Sequence, residues 1–576
     1  MYVKTNRVRR DNRTYEYLTL VEAVRDGGKV RHRTIARLGE ASRLRDTGEL
    51  DRIIAALRAH TDTTRSDGDD VVRAGDLEAQ SAPGFGAIAA VWTLFCRLGL
   101  REHFSGVRGY RTAESLADTV FVMIANRLLA PASKRHTIID WIDRDVELPA
   151  GVAAPSLDQC YRALDTIAAT TTATEDHLFR QLTSLLNLQL RWCCYDLTST
   201  YFESAAVDPD GRFASKRYGY SRDRRRDRPQ VMIGLLVTGD GVPIAHRIFP
   251  GNTADAATMP TVLDDLQARF GVGRIALVAD RGLITDANLA DIGAAGFDHV
   301  IATRLHRDPD VAAVLETAAN TNTGWVPVGG DRTACEVVRD GCRHVVVDSP
   351  ARRVRDDRRR EQLLERTETQ LIALAERVRN KRLVDPAKIG AAAQRILGPS
   401  PVSRCFTTRI AHGRFGWDYH QQAIDYEQRL LAGRYVLTTS LSPQHASTAE
   451  VVAHYQSLAN VEHRFKVLKD FLGLRPVYHW TESRVRGHIA ICVYAAVIEA
   501  IIANQLTTAT IADPNIDGQI ITPRRALGEL DRIRIHHLTA GDRRITITTR
   551  PNGLQTAILA ALDIDTHTWH QPTTTG

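Results

Sequence analysis

Three acidic residues stand where a metal-dependent nuclease needs them. Asp196 interrupts the apolar run Trp192-Cys193-Cys194-Tyr195-Asp196-Leu197, and Asp280 ends Ile275-Ala276-Leu277-Val278-Ala279 directly before Arg281-Gly282. Glu462 lies inside a helical pattern running from Tyr455 to Lys469. A carboxylate set in apolar sequence is costly unless something pairs with it. Three that converge repel one another, and a divalent cation is the usual remedy. The chemistry implied is metal-assisted phosphodiester cleavage. Taken singly, each acid is more often a turn, a cap or a solvated residue; the order of all three along the chain carries the reading.

The elements that must position them are legible as patterns. A strand from about 192 to 202 carries Asp196. A basic loop follows, Arg217 and then Arg222, Arg224, Arg225, Arg226 and Arg228, with Asp223 and Asp227 as balancing acids. The runs 231–237 and 242–249, joined by Gly239-Asp240-Gly241, predict a hairpin. A helix near 255–270 leads to the strand ending at Asp280, and after another helix a fifth strand covers 300–303. Three meandering strands followed by β-α-β crossovers are the order of an RNase H-like mixed sheet with helices on both faces. A right-handed crossover returns the Asp280 strand beside the Asp196 strand, with functional groups facing a crevice at the strand ends.

Residues 306–430 then interrupt the pattern as an inserted α+β domain too long to be a loop. It holds a hairpin around Arg339-Asp340-Gly341, a charged helix over 351–382 and strand-like pieces near 402–408, with another near 434–439 just beyond it. The Glu462 helix starts at the capping box Ser447-Thr-Ala-Glu450 and ends near Gly473 and Pro476. At 100° per residue Leu458, Val461, Phe465, Leu468 and Leu472 form its core stripe. Tyr455, Glu462, Lys466 and Lys469 form a second stripe beside it, as the edge of an active site requires.

The chain of 576 residues is too long for one core, and its 43% hydrophobic and 25% charged content is that of a globular protein. A net charge of +7, carried mostly by arginine, suits phosphate contacts, although spread over this length it is modest. A β-hairpin over 15–38 turns at Asp26-Gly27-Gly28, and Thr61 to Asp76 reads as a linker. Ser156-Leu-Asp-Gln159 caps one helix of a helical region. The predicted organisation is an N-terminal hairpin region (1–60), a helical domain (77–187), a catalytic domain in two parts (188–305 and 431–510) split by the insertion, and a C-terminal region (511–576). The start of the chain has no apolar leader, and the apolar stretch 489–503, interrupted by Glu499, reads as a buried helix rather than a membrane span. A cytoplasmic, nucleoid-associated protein is expected. The eight cysteines show no zinc spacing; Cys335 and Cys342 could meet across a hairpin, although reduced thiols are the expectation.

These residues resemble the DDE transposases of bacterial insertion sequences, in particular the insertion-sequence-four superfamily. Its signature Tyr-x2-Arg-x3-Glu-x6-Lys is matched by Tyr455, Glu462 and Lys469, whereas the arginine position holds Leu458. Arg464 and Lys466 are the nearest basic alternatives, at other angles. Tyr195-Asp-Leu-Thr-Ser-Thr-Tyr201, Pro250-Gly-Asn-Thr-Ala-Asp255, Ala279-Asp-Arg-Gly282, Ala130-Pro-Ala-Ser-Lys134 and Leu474-Arg-Pro-Val-Tyr-His479 with His488 are similar too. The resemblance implies Mg²⁺, with Mn²⁺ as a substitute, as two ions held by Asp196, Asp280 and Glu462. It implies cut-and-paste transposition, in which element ends are cleaved and their 3′-hydroxyls joined to target DNA. The partners would be double-stranded DNA, both terminal inverted repeats and target, and a second copy in a synaptic homodimer, with no membrane. The DNA-contacting set is Tyr455, Lys469, Lys466, Arg281, Arg475 and the loop residues Arg222, Arg224 and Arg225. Trp325 and Trp417 could wedge beside a flipped base, against ordinary packing. A nuclease without strand joining and a binding protein that has lost chemistry stay open as alternatives.

Overall fold

The computed structural model describes residues 2–10, 13–26, 29–59, 77–107, 113–185, 190–207, 213–269, 275–303, 309–321, 324–398, 400–541, 543–566 and 573–575. The chain forms two units, Met1–Leu77 and Glu78–Gly576.

The first unit is an antiparallel sheet of β1 (Tyr2–Arg10), β2 (Arg13–Asp26) and β3 (Lys29–Glu40) in the order β1-β2-β3. β2 and β3 are the expected hairpin; its turn residues Gly27 and Gly28 and the expected linker 61–76 lie outside the described residues. β1 is additional: its basic positions hid the alternation that marks a strand. Helices Ala41–Asp46 and Glu49–Ala59 follow. Leu44 closes over Gly39, whose φ of +126° only glycine adopts without strain.

The second unit opens with β4 (Glu78–Ser81) and the helices Gly86–Arg97, Ala113–Leu129 and Leu157–Leu185. The last begins at the expected capping box: the Ser156 N–H donates to Gln159 Oε1 at 2.7 Å, and the Gln159 N–H donates to Ser156 Oγ at 3.2 Å. The main sheet then begins with β5 (Trp192–Tyr201), β6 (Gln230–Thr238) and β7 (Pro243–Pro250), an antiparallel meander. β8 (Ala276–Ala279) returns parallel to β5, and β9 (Asp298–Ala302) lies parallel to β8. β10 (Val326–Pro327), β11 (Thr333–Arg339) and β12 (Cys342–Asp348) extend it. β13 (Phe406–Ala411) and β14 (Arg414–Tyr419) form a separate hairpin, and β15 (Arg434–Thr439) inserts between β12 and β9. The mixed nine-stranded order is β10-β11-β12-β15-β9-β8-β5-β6-β7. β16 (Ile535–Ala540), β17 (Arg543–Thr548) and β18 (Thr573–Thr575) join β4 in a fourth sheet.

The expected inserted domain 306–430 is therefore not set apart throughout. Its strands β10, β11 and β12 continue the main sheet, because β15, which follows it in sequence, pairs with both β12 and β9. Only its second half has a satellite core, where helices Pro350–Arg379 and Pro386–Leu397 pack Leu371, Leu374 and Ile389 against Phe406 and Phe415. Trp417 packs against that core and Trp325 against Val314 and Leu315, so both are packing residues here. Hairpin register sets Cys335 opposite Val346 and Cys342 opposite Arg339, so the two thiols do not face each other.

Both faces of the central strands are covered, which is why β6 and β8 are buried along their whole length. On one face Tyr195, Leu197, Leu277 and Ala279 meet the helices Met259–Arg269 and Asp286–Ala294. On the other, Cys194, Val278 and Val231 share one core with the helical region, the Glu462 helix and the C-terminal region. Apart from Leu77, the predicted segments 77–187, 188–305, 431–510 and 511–576 thus lie within a single unit. The helix Glu482–Thr508 is long and apolar enough to cross a membrane, yet 83% of its apolar window is buried within the fold. At Gly487 an added Cβ would lie 2.1 Å from the Leu164 carbonyl oxygen, so glycine alone permits this close helix approach.

Candidate active site

Strand pairing brings the two aspartates together. The parallel β5–β8 register pairs Cys194 with Val278 and Tyr195 with Ala279, so the next position sets Asp196 beside Asp280. Adjacent strands lie roughly 4.8 Å apart, and in-register residues of a parallel pair point to the same face. That face is the one bearing Cys194 and Val278, onto which Val461 and Phe465 of the Glu462 helix pack.

The helix is tethered there by polar contacts as well as by its apolar stripe. The Trp192 indole N–H donates to Ser457 Oγ at 3.1 Å, and Cys194 Sγ lies 3.1 Å from the same oxygen. Asn460 Nδ2 donates to the Gly239 carbonyl in the β6–β7 turn at 2.7 Å. These bonds set helix rotation relative to β5 and β6. The expected capping box at Ser447 is formed, but the helix is broken into Thr448–Gln456, Leu458–Lys466 and a π-helical turn Val467–Phe471. Val461, Phe465, Leu468 and Leu472 are buried, and Leu458 packs against the same core, which accounts for an apolar side chain at the arginine position of the signature.

Electrostatics report that the three acids are neighbours. The Asp196 carboxyl is pushed up to about 6, first by burial and then by the charges of Asp280 and Glu462. The Leu197 N–H, 2.7 Å from Oδ1, and nearby Arg222 partly offset that rise. Tyr455 is held above the usual phenol range by burial first and by Asp280 next, so it borders the same cluster. Among the described residues no three His, Cys, Asp or Glu side chains lie close enough to hold a metal ion as they stand. The donor set suits a hard dication in kind: three oxygen acids, one carrying an electrostatic penalty that a cation would reverse. Glu462 and Asp280 are exposed.

The expected DNA contacts fall into two groups. Lys466 and Arg224 are exposed and form no ion pair among the described residues. Others are already engaged. Arg222 Nη2 donates to Asp255 at 2.8 Å, and its N–H donates to Ser199 Oγ at 3.2 Å. Arg225 makes a bidentate pair with Asp227 at 2.9 and 3.0 Å and lies over the Tyr201 ring. Lys469 Nζ donates to Asp223 Oδ1 at 2.8 Å, and Arg475 pairs with the same oxygen. The side chain of Arg281 lies outside the described residues. Arg464, considered for the missing arginine, is buried and paired with Glu499, so it belongs to the core.

Two residues that matter here carried no usable sequence signal. Ser457 looks like any polar helical residue, yet it fastens the helix to β5. Asp223 looks like charge balance within an arginine run, but it reaches across to Lys469 and Arg475, and its second oxygen is buried without a hydrogen-bond partner.

Residues 190–498 match the transposase DDE domain, a span of more than half of the chain. The chain belongs to that transposase family. Residues 3–68, covering most of the first unit, match the IS1634 family transposase N-terminal domain. The transposase is thus tied to insertion sequences through an IS1634-type N-terminal domain. Among solved structures it is similar to the piggyBac transposase synaptic complex with hairpin DNA, at 11% identity and TM-score 0.33, over 77% of this chain and 76% of that one. No curated protein matches the chain.

Proposed function

We propose that this chain is a cut-and-paste transposase that cleaves the ends of its insertion sequence and joins their 3′-hydroxyls to target DNA. Asp196, Asp280 and Glu462 are the catalytic acids of the reading, on a sheet of RNase H-like order (β7-β6-β5-β8-β9) and of the insertion-sequence-four type. One observation supports it above the rest: Asp196 and Asp280 lie in register on neighbouring parallel strands, with the Glu462 helix bonded to the same face.

The three carboxylates would hold Mg²⁺, or Mn²⁺ in its place, supplying a metal-activated nucleophile and charge neutralisation at the leaving oxygen. The chain's own residues orient the acids: Leu197 holds one Asp196 oxygen, while Ser457 and Asn460 set the rotation of the Glu462 helix. Lys466 and Arg224 are open to the DNA backbone, and Lys469 and Arg475 reach it when a phosphate takes the place of Asp223. The N-terminal unit, with Lys4, Arg7, Arg9, Arg33 and Arg37 on its outer strands, reads the terminal repeats. Residues 306–430 and 511–576 complete the assembly around a synaptic homodimer, and the protein works on the bacterial nucleoid.

The test uses the element's own ends as labelled duplexes. Mg²⁺-dependent nicking, followed by joining of the 3′-hydroxyl to a plasmid, is expected of the wild type and absent from Glu462→Gln and in EDTA. Equal nicking by Glu462→Gln would sink the assignment. Nicking without joining would favour a nuclease that lacks strand transfer.

A further inference from the structure

The helix Pro350–Arg379 opens on six arginines among its first eleven residues, against two aspartates. Three of the arginines are paired: Arg352 with Asp356 at 3.5 Å, Arg353 with Asp348 at 2.7 Å and Arg360 with Asp357 at 2.7 Å. Arg355, Arg358 and Arg359 are exposed and form no ion pair among the described residues, and the same holds for Arg366 further along. At 100° per residue Arg355, Arg359, Gln362 and Arg366 form one exposed stripe about 16 Å long, with Arg358 at its edge. The buried Thr367, Leu371 and Leu374 mark a second side of the helix, and Glu361, Glu365 and Glu368 lie on a third.

Folding does not account for this stripe. Arg355 repels both Arg358 and Arg359, three and four residues on. Positive charge is also unfavourable near a helix N-terminus, where the macrodipole is itself positive, and the first turn holds no acid to answer it. A polyanion laid along the stripe reverses both penalties. Two observations narrow it. The stripe begins beside the candidate active site: Arg352, three residues before Arg355, lies 5.3 Å over the Tyr435 ring, whose centroid is 5.8 Å from that of Tyr455. Tyr455 in turn feels Asp280 and Glu462, and Arg352 moderates their effect on it. The length is the second observation. About 16 Å is the rise of about five base-pair steps, so the stripe fits a duplex and is far longer than a small anion.

We propose that the exposed face of the helix Pro350–Arg379 docks target DNA, with Arg355, Arg359 and Arg366 on its phosphate backbone. The choice of target DNA rests on the transposase reading above. Element ends must be read by sequence, whereas a target of any sequence is held by backbone contacts alone.

The experiment compares the full-length wild type with a variant carrying Arg355→Gln, Arg359→Gln and Arg366→Gln, all at exposed positions, its fold checked by circular dichroism. Binding of a fluorescein-labelled duplex of arbitrary sequence is titrated across a salt series. The slope of log affinity against log salt should fall by about 2.7, for three lost contacts at about 0.9 each, and affinity near 0.15 M salt should drop about a hundredfold. Arginine-to-lysine changes at the same three positions should retain most of the affinity, because a backbone contact needs the charge more than the guanidinium fork. Joining of pre-cleaved element ends to a plasmid should fall about tenfold or more, while nicking of the ends stays within about twofold of wild type. An unchanged salt slope overturns the proposal. So does an equal loss of nicking and joining, which would put the element's own ends on the stripe. Loss of a dimer in gel filtration with duplex affinity kept would put a second copy there and overturns it too. Wild-type nicking and joining matched by the glutamine variant means that the docking face alone has failed. A wild type that binds duplex through the stripe yet neither nicks nor joins removes the transposase reading, and target DNA with it.

Discussion

Replacing Asp196 by asparagine should stabilise the protein at neutral pH even as it removes a residue the proposed chemistry needs. The carboxyl is lifted from 3.8 to about 6 by burial and by Asp280 and Glu462. A rise of about two units at about 1.4 kcal/mol each makes the ionised side chain cost about 3 kcal/mol relative to the unfolded chain, as an upper figure. The folded value is raised, so the favourable contribution is intact below about pH 4 and is lost as the pH climbs through 6. Asparagine keeps the acceptor for the Leu197 N–H and carries no charge. For roughly 500 residues unfolding together, the unfolding entropy is about 1 kcal/mol per degree, so Asp196→Asn should raise Tm by about 3 °C at pH 7.5 in EDTA. The gain should vanish near pH 4. Scanning calorimetry at the two pH values measures it, and Mg²⁺ should narrow the gap at pH 7.5 by stabilising the wild type alone. A variant that melts at or below the wild type at pH 7.5 in EDTA refutes the penalty that burial and the neighbouring acids place on the ionised Asp196.

Glu462→Gln, at an exposed helical position, should leave urea stability within about 0.5 kcal/mol of wild type while abolishing nicking; a large stability loss would mean the residue is structural. Removing either partner of the buried Arg464–Glu499 pair should cost about 3–5 kcal/mol by urea denaturation, and Arg464→Met with Glu499→Leu should recover most of it. Loss of DNA binding without loss of stability in Arg464→Met would instead return that arginine to the DNA. Gly487→Ala should give a chain that aggregates or melts much earlier, read by circular dichroism, because its Cβ has no space beside Leu164. Ser457→Ala should lower the nicking rate without changing the DNA affinity, since it removes two bonds worth about 1 kcal/mol each that orient the Glu462 helix.

Local pattern was enough for the elements that bear the acids. Central strands buried on both faces read as continuous apolar runs, which is why β5, β6, β7, β8 and β9 stood out together with the acids that break or end them. The capping boxes at Ser156 and Ser447 and the core stripe of the Glu462 helix are short-range chemistry, written within a few residues and formed as expected. What needed the tertiary structure was every relation across long separations. That β15 sits between β12 and β9 depends on pairing between strands far apart in the chain, so the insertion looked detached when its first half extends the sheet. Partners of charged side chains are equally non-local: Asp223 serves Lys469 and Arg475 rather than its own arginine run, and Arg464 turns inward to Glu499. Sequence determines which faces must be buried, because burial follows periodicity; which charge meets which is decided only when the packed core has fixed where those faces lie.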